Sequence, residues 1–404
     1  MTKEKPTVPR LRFPGFTDAW KQRKAMDIFK PVSDKGYTDL PILSASQEYG
    51  MVRRDEIGID IKFDKEAIVN YKRVLPGQFV IHLRSFQGGF AWSEIEGVTS
   101  PAYTILDFRE IHSSKFWQYV LTSPNFIKKL ETVTYGIRDG RSISYSDFST
   151  LGFVLPTLPE QEAIGSFFSD LDQLITLHQR KLDDVKELKK ALLQKMFPKG
   201  NGNDFPELRF PEFTDAWKQR KLGEVAERVS QKNLDRQYVE TFTNSAEFGI
   251  VSQRDFFEKN ISSLENLSGY YVVNPDDFVY NPRISNLAPV GPIKRNKLGR
   301  VGVMSPLYTI FKFTDMNLDF VEKYFDTTIW HRYMELNGDS GARSDRFAIK
   351  DSVFRGLPIP HPSLPEQEAI GSFFSDLDQL ITLHQRQLDH LKLLKKALLQ
   401  QMFI

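Results

Sequence analysis

The sequence predicts an α+β protein in which two globular mixed α/β domains are joined by two long antiparallel coiled-coil helices, with a pseudo-twofold internal repeat. Three observations lead to this prediction. The chain has 404 residues, more than one ordinary core accommodates. Two motifs recur at matching places in its halves. Each half also ends in a segment with the apolar spacing of a long helix.

The repeat consists of nearly identical segments around unlike middles. Residues 11–24 and 208–221 share LRFPxFTDAWKQRK and differ at one position of fourteen. Residues 158–197 and 364–403 are identical at 35 of 40 positions. Because the repeated frame is so similar, the unlike middles are expected to carry whatever distinguishes the halves. Gene duplication without a division of labour is the alternative.

The repeat divides the chain into six segments. The middles keep traces of kinship, since SPAYTIL at 100–106 matches SPLYTIF at 305–311. The predicted segments are a leading motif at 1–24, a first domain at 25–157, a central long helix at 158–197, a linker with a second leading motif at 198–221, a second domain at 222–363 and a C-terminal long helix at 364–404.

Residues 158–197 are predicted to form one long helix. Pro159 suits a first turn, Glu160 complements the positive helix N-terminus, and Lys195 lies in the last turn before Pro198. Apolar residues recur every 3.5 residues or so, as in a coiled-coil seam. The predicted seam residues are Ile164, Phe168, Leu171, Ile175, Leu182 and Val185 in the first copy and Ile370, Phe374, Leu377, Ile381, Leu388 and Leu391 in the second.

The two seams are expected to pack against each other in opposite directions. At about 1.5 Å per residue each helix is roughly 57 Å long, which exceeds the size of either domain. Only the short segment 198–207 separates the first helix from the second half, so the second helix should run back. His178 and His384 interrupt the seam. They lack the partner residues of a metal site, so a polar register-setting role is favoured.

Composition excludes several classes of function. The formal net charge is only +2, so any DNA contact must come from local patches. The absence of cysteine excludes disulfides, thiolate metal sites and cysteine nucleophiles. The chain has no signal-peptide-like start and no run of eighteen apolar residues. A cytoplasmic protein with no membrane contact is therefore expected.

Polar loops beside glycine supply candidate DNA-binding residues. Arginine can bind guanine with two hydrogen bonds, Asn or Gln can do the same with adenine, and Lys or Ser can hold phosphates. Where an Asp adjoins the arginine, a solvated surface pair is the alternative. The candidates are Arg84, Gln87, Arg138, Arg141, Ser142, Arg283, Asn286, Lys294, Arg295, Arg343, Ser344 and Arg346.

The sequence lacks the common catalytic motifs. The patterns GxxxxGK[ST], HExxH and GxSxG are absent, as is an EF-hand loop. The [DNS]PP[YF] signature of adenine methyltransferases is also absent, and Asn281-Pro282-Arg283 departs from it. We therefore assign this chain no catalytic, cofactor-binding or metal-binding residues.

The repeated LPTLPEQEAI and LPIPHPSLPEQEAI segments, each followed by a heptad helix, resemble type I restriction-modification specificity subunits. The resemblance covers essentially the whole chain. It implies two target-recognition domains that bind a bipartite sequence in double-stranded DNA, in a subunit that is not itself an enzyme. It also implies two methyltransferase subunits that bind S-adenosylmethionine, and restriction subunits that use ATP and Mg. The alternatives are a self-sufficient DNA modification enzyme and a paired protein-binding scaffold.

Overall fold

The computed structural model describes residues 8–46, 49–57, 65–82, 89–131, 133, 143–199, 205–257, 264–340 and 345–403. The chain forms two compact units. The first unit comprises Met1–Gln179 and Arg386–Ile404, and the second comprises Arg180–Gln385. Each long helix contributes to both units, because the boundary crosses the two helices near their midpoints.

The first unit contains a small antiparallel sheet, three two-stranded ribbons and short helices. Its elements are β1 (Lys21–Lys24), α1 (Ala25–Ile28), β2 (Phe29–Val32), β3 (Leu43–Ser46), β4 (Gly50–Arg53), 3-10 helices at Arg54–Ile57 and Lys65–Asn70, β5 (Lys72–Val74), β6 (Phe79–Ile81), β7 (Phe90–Trp92), β8 (Gly97–Thr99), β9 (Thr104–Phe108), α2 (Ser114–Thr122), α3 (Pro124–Glu131), α4 (Tyr145–Ser149), β10 (Gly152–Leu155) and the start of α5 (Leu158–Lys195).

An aromatic core fills the first unit. The sheet has the order β2-β9-β6-β7, and every residue of β6 is buried. Trp117 of α2 packs edge-on against Phe29 at 4.8 Å and against Phe153 at 5.0 Å between ring centroids. Aromatic rings bury large areas, and edge-on contacts add to the stabilisation that burial provides. The core therefore joins α2 to both ends of the domain.

The second unit repeats this order of elements. Its elements are β11 (Lys218–Lys221), α6 (Leu222–Val225), β12 (Ala226–Arg228), β13 (Phe242–Ser245), β14 (Gly249–Ser252), α7 (Gln253–Phe257), a 3-10 helix at Leu264–Gly269, β15 (Tyr271–Val273), β16 (Phe278–Tyr280), β17 (Ile293–Arg295), β18 (Gly302–Met304), β19 (Thr309–Phe313), α8 (Leu318–Phe325), α9 (His331–Asn337), β20 (Asp339–Ser340), β21 (Phe347–Ala348), α10 (Asp351–Phe354), β22 (Pro358–His361) and α11 (Leu364–Met402).

The sheet of the second unit has the order β12-β19-β16-β17, which corresponds strand for strand to the sheet of the first. The two ends of each domain also pair with each other. β1 pairs with β10, and β11 pairs with β22, both in antiparallel fashion. Each domain is therefore closed at its base by a two-stranded ribbon.

The long helices pack in opposite directions. In the first unit, Phe168 of α5 lies 5.9 Å from Phe403 between ring centroids, and Asp172, one turn further along α5, binds Lys395. A later residue of α5 therefore contacts an earlier residue of α11, as expected for antiparallel helices. The predicted antiparallel helix pair and the mixed α/β domains are confirmed. The helices end at Lys195 and Met402, close to the expected limits.

The seam combines buried apolar residues with ion pairs. Lys189 binds Asp378 in the second unit, as Lys395 binds Asp172 in the first. Each of these lysines lies within the apolar seam and has a carboxylate partner on the opposite helix. Of the predicted seam residues, Ile164, Phe168, Leu171, Leu182, Ile370, Phe374 and Leu388 are buried, and Ile175, Val185, Leu377, Ile381 and Leu391 are partly buried.

The LPEQ residues hold the start of each long helix in place. In the first unit, Glu160 is fully buried and accepts hydrogen bonds from the guanidinium of Arg12 at 2.5 and 2.7 Å. The next residue, Gln161, donates to the Pro156 carbonyl and accepts from the backbone N–H of Ser113, the N-cap of α2. The helix start, the leading motif and the domain are thereby joined through two neighbouring side chains.

The second unit repeats this arrangement. Glu366 accepts hydrogen bonds from Arg209 at 2.6 and 2.8 Å and from the indole N–H of Trp217 at 3.1 Å. Gln367 donates to the Pro362 carbonyl and accepts from the backbone N–H of Asn317, the N-cap of α8. The same joint therefore supports two domains whose surfaces differ.

The buried Arg12–Glu160 pair predicts a large effect of a small substitution. Glu160→Gln leaves a guanidinium without its counter-charge in a site that excludes water. The change should lower the free energy of unfolding of the first unit by about 3 kcal/mol, as expected when one partner of a buried pair is removed. Urea unfolding measures this quantity.

The matched control for this prediction is Glu162→Gln. Glu162 lies on the same helical turn but is exposed, so the free energy of unfolding should change by less than about 0.5 kcal/mol. Equal effects of the two substitutions would contradict the structural role assigned to Glu160.

Candidate nucleic-acid interface

The candidate DNA-binding residues fall into two groups. Arg283, Asn286, Lys294, Arg295 and Arg346 are described, and all lie in the second unit. The other candidates lie outside the described residues, and their DNA contacts stay predictions. These are Arg84, Gln87, Arg138, Arg141, Ser142, Arg343 and Ser344.

The loop between β16 and β17 forms a tight hairpin. Ser285 and Ala288 exchange two backbone hydrogen bonds, each 3.0 Å long, so the turn between them has only two residues. Those residues are Asn286 and Leu287. Both are exposed, and Leu287 has 68% of its surface accessible. The hairpin therefore presents an amide and an apolar side chain at its tip.

Buried polar side chains support the base of this hairpin. Asn281 donates from Nδ2 to the Asn244 carbonyl at 2.9 Å, and its Oδ1 accepts from the backbone N–H of Arg283 at 3.0 Å. The Tyr280 hydroxyl donates to the Val290 carbonyl at 2.9 Å. Since these bonds satisfy buried groups, they restrict the conformations that the loop can adopt.

Gly291 is required where the chain returns to β17. Its φ is +83°, a conformation that side-chain-bearing residues rarely adopt. A Cβ at this position would lie 2.1 Å from the Asn281 carbonyl oxygen, which belongs to the backbone and cannot move independently. The close approach of these two segments thus depends on glycine.

Two candidate arginines lie side by side at the base of the hairpin. Arg283 and Arg346 face each other in an antiparallel bridge, although 62 residues separate them in the chain. The Phe347 N–H donates to the Pro282 carbonyl at 2.7 Å, and the Ile284 N–H donates to the Asp345 carbonyl at 3.0 Å. Arg283 is exposed and Arg346 is partly buried.

Arg346 retains unused hydrogen-bonding capacity. Among the described residues, its buried Nε has no hydrogen-bond acceptor. Buried polar groups usually have a partner, so this donor is open to a water molecule, an ion or a ligand. Together with the exposed Arg283, it gives the base of the hairpin a positive character.

This arrangement matches the groups needed to recognise a DNA base edge. A guanidinium can donate to guanine O6 and N7, the Asn amide can pair with adenine, and an apolar side chain can contact the thymine methyl group. A short hairpin is also narrow enough to enter the major groove. The geometry therefore suits sequence-dependent contacts by Arg283, Asn286 and Leu287.

Lys294 and Arg295 occupy a different environment. Lys294 binds Asp326 at 2.8 Å, and Arg295 lies between Asp276 and Asp319 with its side chain 13% exposed. Burial works against the charge of Arg295, but hydrogen bonds and charge from Asp276 and Asp319 outweigh it and raise the pKa of its guanidinium. These contacts give both residues a structural role, and their contact with DNA stays a prediction.

Sequence patterns did not identify Leu287 or Asn281 as important. The sequence criteria for DNA contact were charged and amide residues in loops beside glycine, and a leucine does not meet them. The signal that could have found it is its place in NPRISNL, directly after Asn286 at the centre of a polar loop. Asn281 is buried, and only the folded contacts show what it does.

The described residues show neither a metal site nor a membrane-spanning helix. Across the described ranges, no cluster of three or more His, Asp or Glu side chains has an arrangement that could hold a metal ion. No helix in that part of the chain combines the length and apolar character needed to cross a membrane.

Comparison with known proteins identifies the class to which this architecture belongs. The family model for the type I restriction modification DNA specificity domain matches residues 18–187 and 214–393, one match for each half of the repeat. The chain therefore belongs to the type I restriction modification DNA specificity domain family and carries two copies of the domain.

Two curated relatives come from Methanocaldococcus jannaschii. The type I restriction enzyme MjaVIII specificity subunit is 24% identical over 263 residues, covering 62% of this chain and 61% of that protein. The putative type I restriction enzyme MjaX specificity subunit is 24% identical over 269 residues, covering 64% and 60%. The matched region thus spans about three fifths of the length of each relative.

The overall fold also resembles that of a solved structure. The crystal structure of the type I restriction-modification system S subunit from M. genitalium covers 98% of this chain and 99% of its own, with a TM-score of 0.56 and 13% identity. At this identity the likeness concerns the fold alone.

The contacts of Asn281 predict that it stabilises the hairpin. Asn281→Ala removes both hydrogen bonds and leaves the N–H of Arg283 and the carbonyl of Asn244 without these partners. The free energy of unfolding should fall by about 1–3 kcal/mol. Amide hydrogen exchange in residues 282–292 should accelerate as the loop opens more often.

Asn286→Ala is the matched control. The side chain at the hairpin tip is exposed, so the free energy of unfolding should stay within about 0.5 kcal/mol of the unmodified protein. If Asn281→Ala behaved like Asn286→Ala, the support assigned to Asn281 would be wrong.

Proposed function

We propose that this chain is the DNA-specificity subunit of a type I restriction-modification complex. Each of its two domains recognises one half of a bipartite target in double-stranded DNA. The observation that carries the proposal is the supported hairpin with Arg283, Asn286 and Leu287, in one of two family domains whose frames match and whose surfaces differ. The chain acts in the cytoplasm, where the DNA lies.

The shared frame supports the division of the target into two parts. The buried Arg–Glu pair and the paired ribbon recur in both units, so each domain is held in the same way by the same residues. The hairpin segment differs, since HLRSFQGG at 82–89 stands where the second half has the longer NPRISNLAPVGP at 281–292. Repeated protein units favour repeated half-sites, and unlike loops favour different bases in each.

Catalysis belongs to partner subunits in this proposal. Methylation of a base within a duplex requires an active-site pocket that takes up the extruded base, and methyl transfer requires S-adenosylmethionine. Methyltransferase subunits supply that chemistry, and restriction subunits use ATP and Mg. The role of this chain is to position those partners on the correct sequence.

Exposed leucines on the long helices support a docking surface for two copies of one partner. Leu174 and Leu177 of α5 are 40% and 47% exposed. Leu380 and Leu383 occupy the same positions of the second copy, on α11, and are 38% and 51% exposed. Exposed apolar surface that recurs at equivalent positions is typical of a binding face. We assign one methyltransferase subunit to each leucine pair.

Exchange of one domain tests the proposed division of the target. Residues 25–157 are replaced by the corresponding domain of another family member, and the chain is expressed with its partner subunits. Methylome sequencing should show a bipartite motif in which one half has changed and the other half is retained. A wholly new motif, or an unchanged one, would contradict the assignment of one half-site to each domain.

Substitution of one leucine pair tests the docking surface. Leu380→Asp together with Leu383→Asp places two charges in the apolar surface, while the equivalent surface at Leu174 and Leu177 stays intact. The complex should then bind one methyltransferase subunit instead of two, which native mass spectrometry can count.

Leu336→Asp is the matched control for the docking experiment. Leu336 is 74% exposed and belongs to α9 instead of a long helix, so two methyltransferase subunits should still bind. Retention of both subunits by the Leu380 and Leu383 variant would exclude this surface as the docking site.

A further inference from the structure

A cleft of about 700 Å³ lies beside the long helix in the second unit. Five parts of the unit line it: the C-terminal part of α5, the turn between β13 and β14 together with β14, the end of β17 and the residues after it, α8, and Asp378 of α11. The candidate DNA-binding hairpin at 281–292 does not line it, so the site assigned above leaves this cleft without a function. We call it the basic cleft, because lysines predominate among its charged residues.

Ion pairs already occupy the floor of the basic cleft. Lys323 of α8 is 97% buried at its side chain and binds Asp378, which also binds Lys189. Burial works against the charge of Lys323, but Asp326 and Glu322 outweigh it and raise the pKa of the ammonium group. Burial likewise works against the charge of Asp326, but Lys294 and Lys323 lower the pKa of its carboxyl. The floor is thus an internally compensated network.

The rim of the basic cleft carries lysines of a different kind. Lys186 and Lys190 of α5 are exposed, and no carboxylate of the described residues forms an ion pair with either. They are four residues apart and therefore lie on one helix face, about 6 Å from each other. Lys297 adds a third ammonium group, 55% exposed and 3.2 Å from Glu322. Lys186 and Lys190 therefore offer positive charge that no ion pair among the described residues compensates, whereas Lys297 is paired and Glu247 and Glu322 also line the cleft.

An exposed aromatic ring completes the rim. Phe248 lies in the turn between β13 and β14 and is 60% exposed. The Ser245 Oγ accepts hydrogen bonds from the N–H groups of Glu247 and Phe248 at 3.3 and 3.2 Å. Gly249 follows with a φ of +70°, and Phe256 supports the ring at 5.8 Å. The turn is constrained, so the ring is held at the surface.

The first unit contains only part of this arrangement. Lys392 and Lys396 of α11 repeat Lys186 and Lys190, since the helix copies match at these positions. The strand that lines the cleft differs. The register of β6 with β7 and of β16 with β17 places Trp92 where the second unit has Arg295, and Glu94 then stands where it has Lys297. The strand position that holds Lys297 in the second unit therefore holds a glutamate in the first, so the positive charge of the cleft is not repeated there.

We propose that the basic cleft binds the sugar–phosphate backbone of the target DNA. Lys186, Lys190 and Lys297 contact successive phosphates of one strand, and Phe248 packs against the adjoining deoxyribose. This inference rests on the proposed function, because it adds a second contact with the same DNA. It assigns to the second unit contacts with DNA that do not depend on the base sequence.

The chemistry of the rim favours DNA over a protein partner. A DNA strand carries one negative charge for about every 3.4 Å along the axis, so two lysines about 6 Å apart can each face a phosphate. Lysine acts as a point charge and suits backbone contacts, which position a duplex without selecting its bases. An aromatic ring beside the lysines offers an apolar surface to the deoxyribose, which every nucleotide carries whatever its base.

A salt titration of DNA binding tests the proposal. Fluorescence anisotropy compares DNA binding by three proteins: the full chain, the Lys186→Gln/Lys190→Gln variant and the Lys392→Gln/Lys396→Gln variant. The duplex carries the target motif that methylome sequencing identifies. Each lost phosphate contact lowers the slope of log affinity against log salt by about 0.9. The slope should fall by about 2 for the first variant and stay unchanged for the second, which alters the same helix residues in the other copy.

Substitution of the aromatic ring tests the second element of the cleft. Phe248→Ala should weaken DNA binding roughly fivefold, as expected for the loss of an apolar contact with one sugar, and should leave the salt slope unchanged because no charge is removed. Thermal unfolding of each variant, compared with the unmodified chain, shows that the substituted proteins are folded. All substituted residues are exposed, so the melting temperature should change little.

The outcomes separate this inference from the proposed function. Equal salt slopes for the Lys186/Lys190 variant and the unmodified chain would overturn the assignment of DNA to the basic cleft. An equal fall in slope for the two lysine variants would overturn it as well. Intact DNA binding with loss of methyltransferase subunits would also overturn it, because the occupant would then be a protein. Arg283→Ala/Asn286→Ala should lose discrimination between target and mismatched DNA while keeping the full slope. If the unmodified chain showed no target preference at all, the proposed function would fail.

Discussion

The structure depends on the buried pairing of one glutamate at the start of each long helix with one arginine from the leading motif. Glu160 with Arg12, and Glu366 with Arg209, connect segments that lie about 150 residues apart in the chain. A carboxylate that is fully removed from water must be fully compensated, and the guanidinium does this with two hydrogen bonds. The neighbouring glutamine then ties the same helix turn to an N-cap of the domain. Helix, leading motif and domain cannot move independently while these bonds persist.

This joint explains how unlike domains share one frame. The domain between each leading motif and long helix begins and ends at a paired ribbon, so its interior can change without moving its ends. The unlike segments include the hairpin that carries Arg283, Asn286 and Leu287, while the LPEQ residues are the same in both halves. Different residues therefore contact the target and hold the domain on the helices. In such a protein the target-contacting residues can be substituted while the contacts that hold the domains stay the same.

Much of this fold could be predicted from the sequence, and the reasons are specific. The near-identity of residues 158–197 and 364–403 predicted two matching helices, and their apolar spacing predicted that the helices pack together. The spacing could not show that Lys189 binds Asp378 or that Lys395 binds Asp172, because these partners are about 200 residues apart. It also treated Arg295 as a DNA-binding candidate, since the carboxylates that surround it come from distant segments. The bridge between Arg283 and Arg346 depends on strand pairing, which local sequence does not reveal.

The shared aspartate of the helix pair meets a different third group in each unit. Asp172 accepts a hydrogen bond from the Tyr119 hydroxyl at 2.8 Å, whereas Asp378 binds Lys323. The Tyr119 phenol is neutral, so the cluster around Asp172 combines one ion pair with an ordinary hydrogen bond. The cluster around Asp378 contains several charges of both signs. Lys323 is almost fully removed from solvent, so dissolved ions screen its pairs far less than they screen exposed ones. Loss of any one of these charges would leave a buried partner uncompensated, whereas loss of the Tyr119 hydroxyl would not. The two halves of this protein therefore tolerate substitution beside the shared aspartate unequally, although their helices are almost the same.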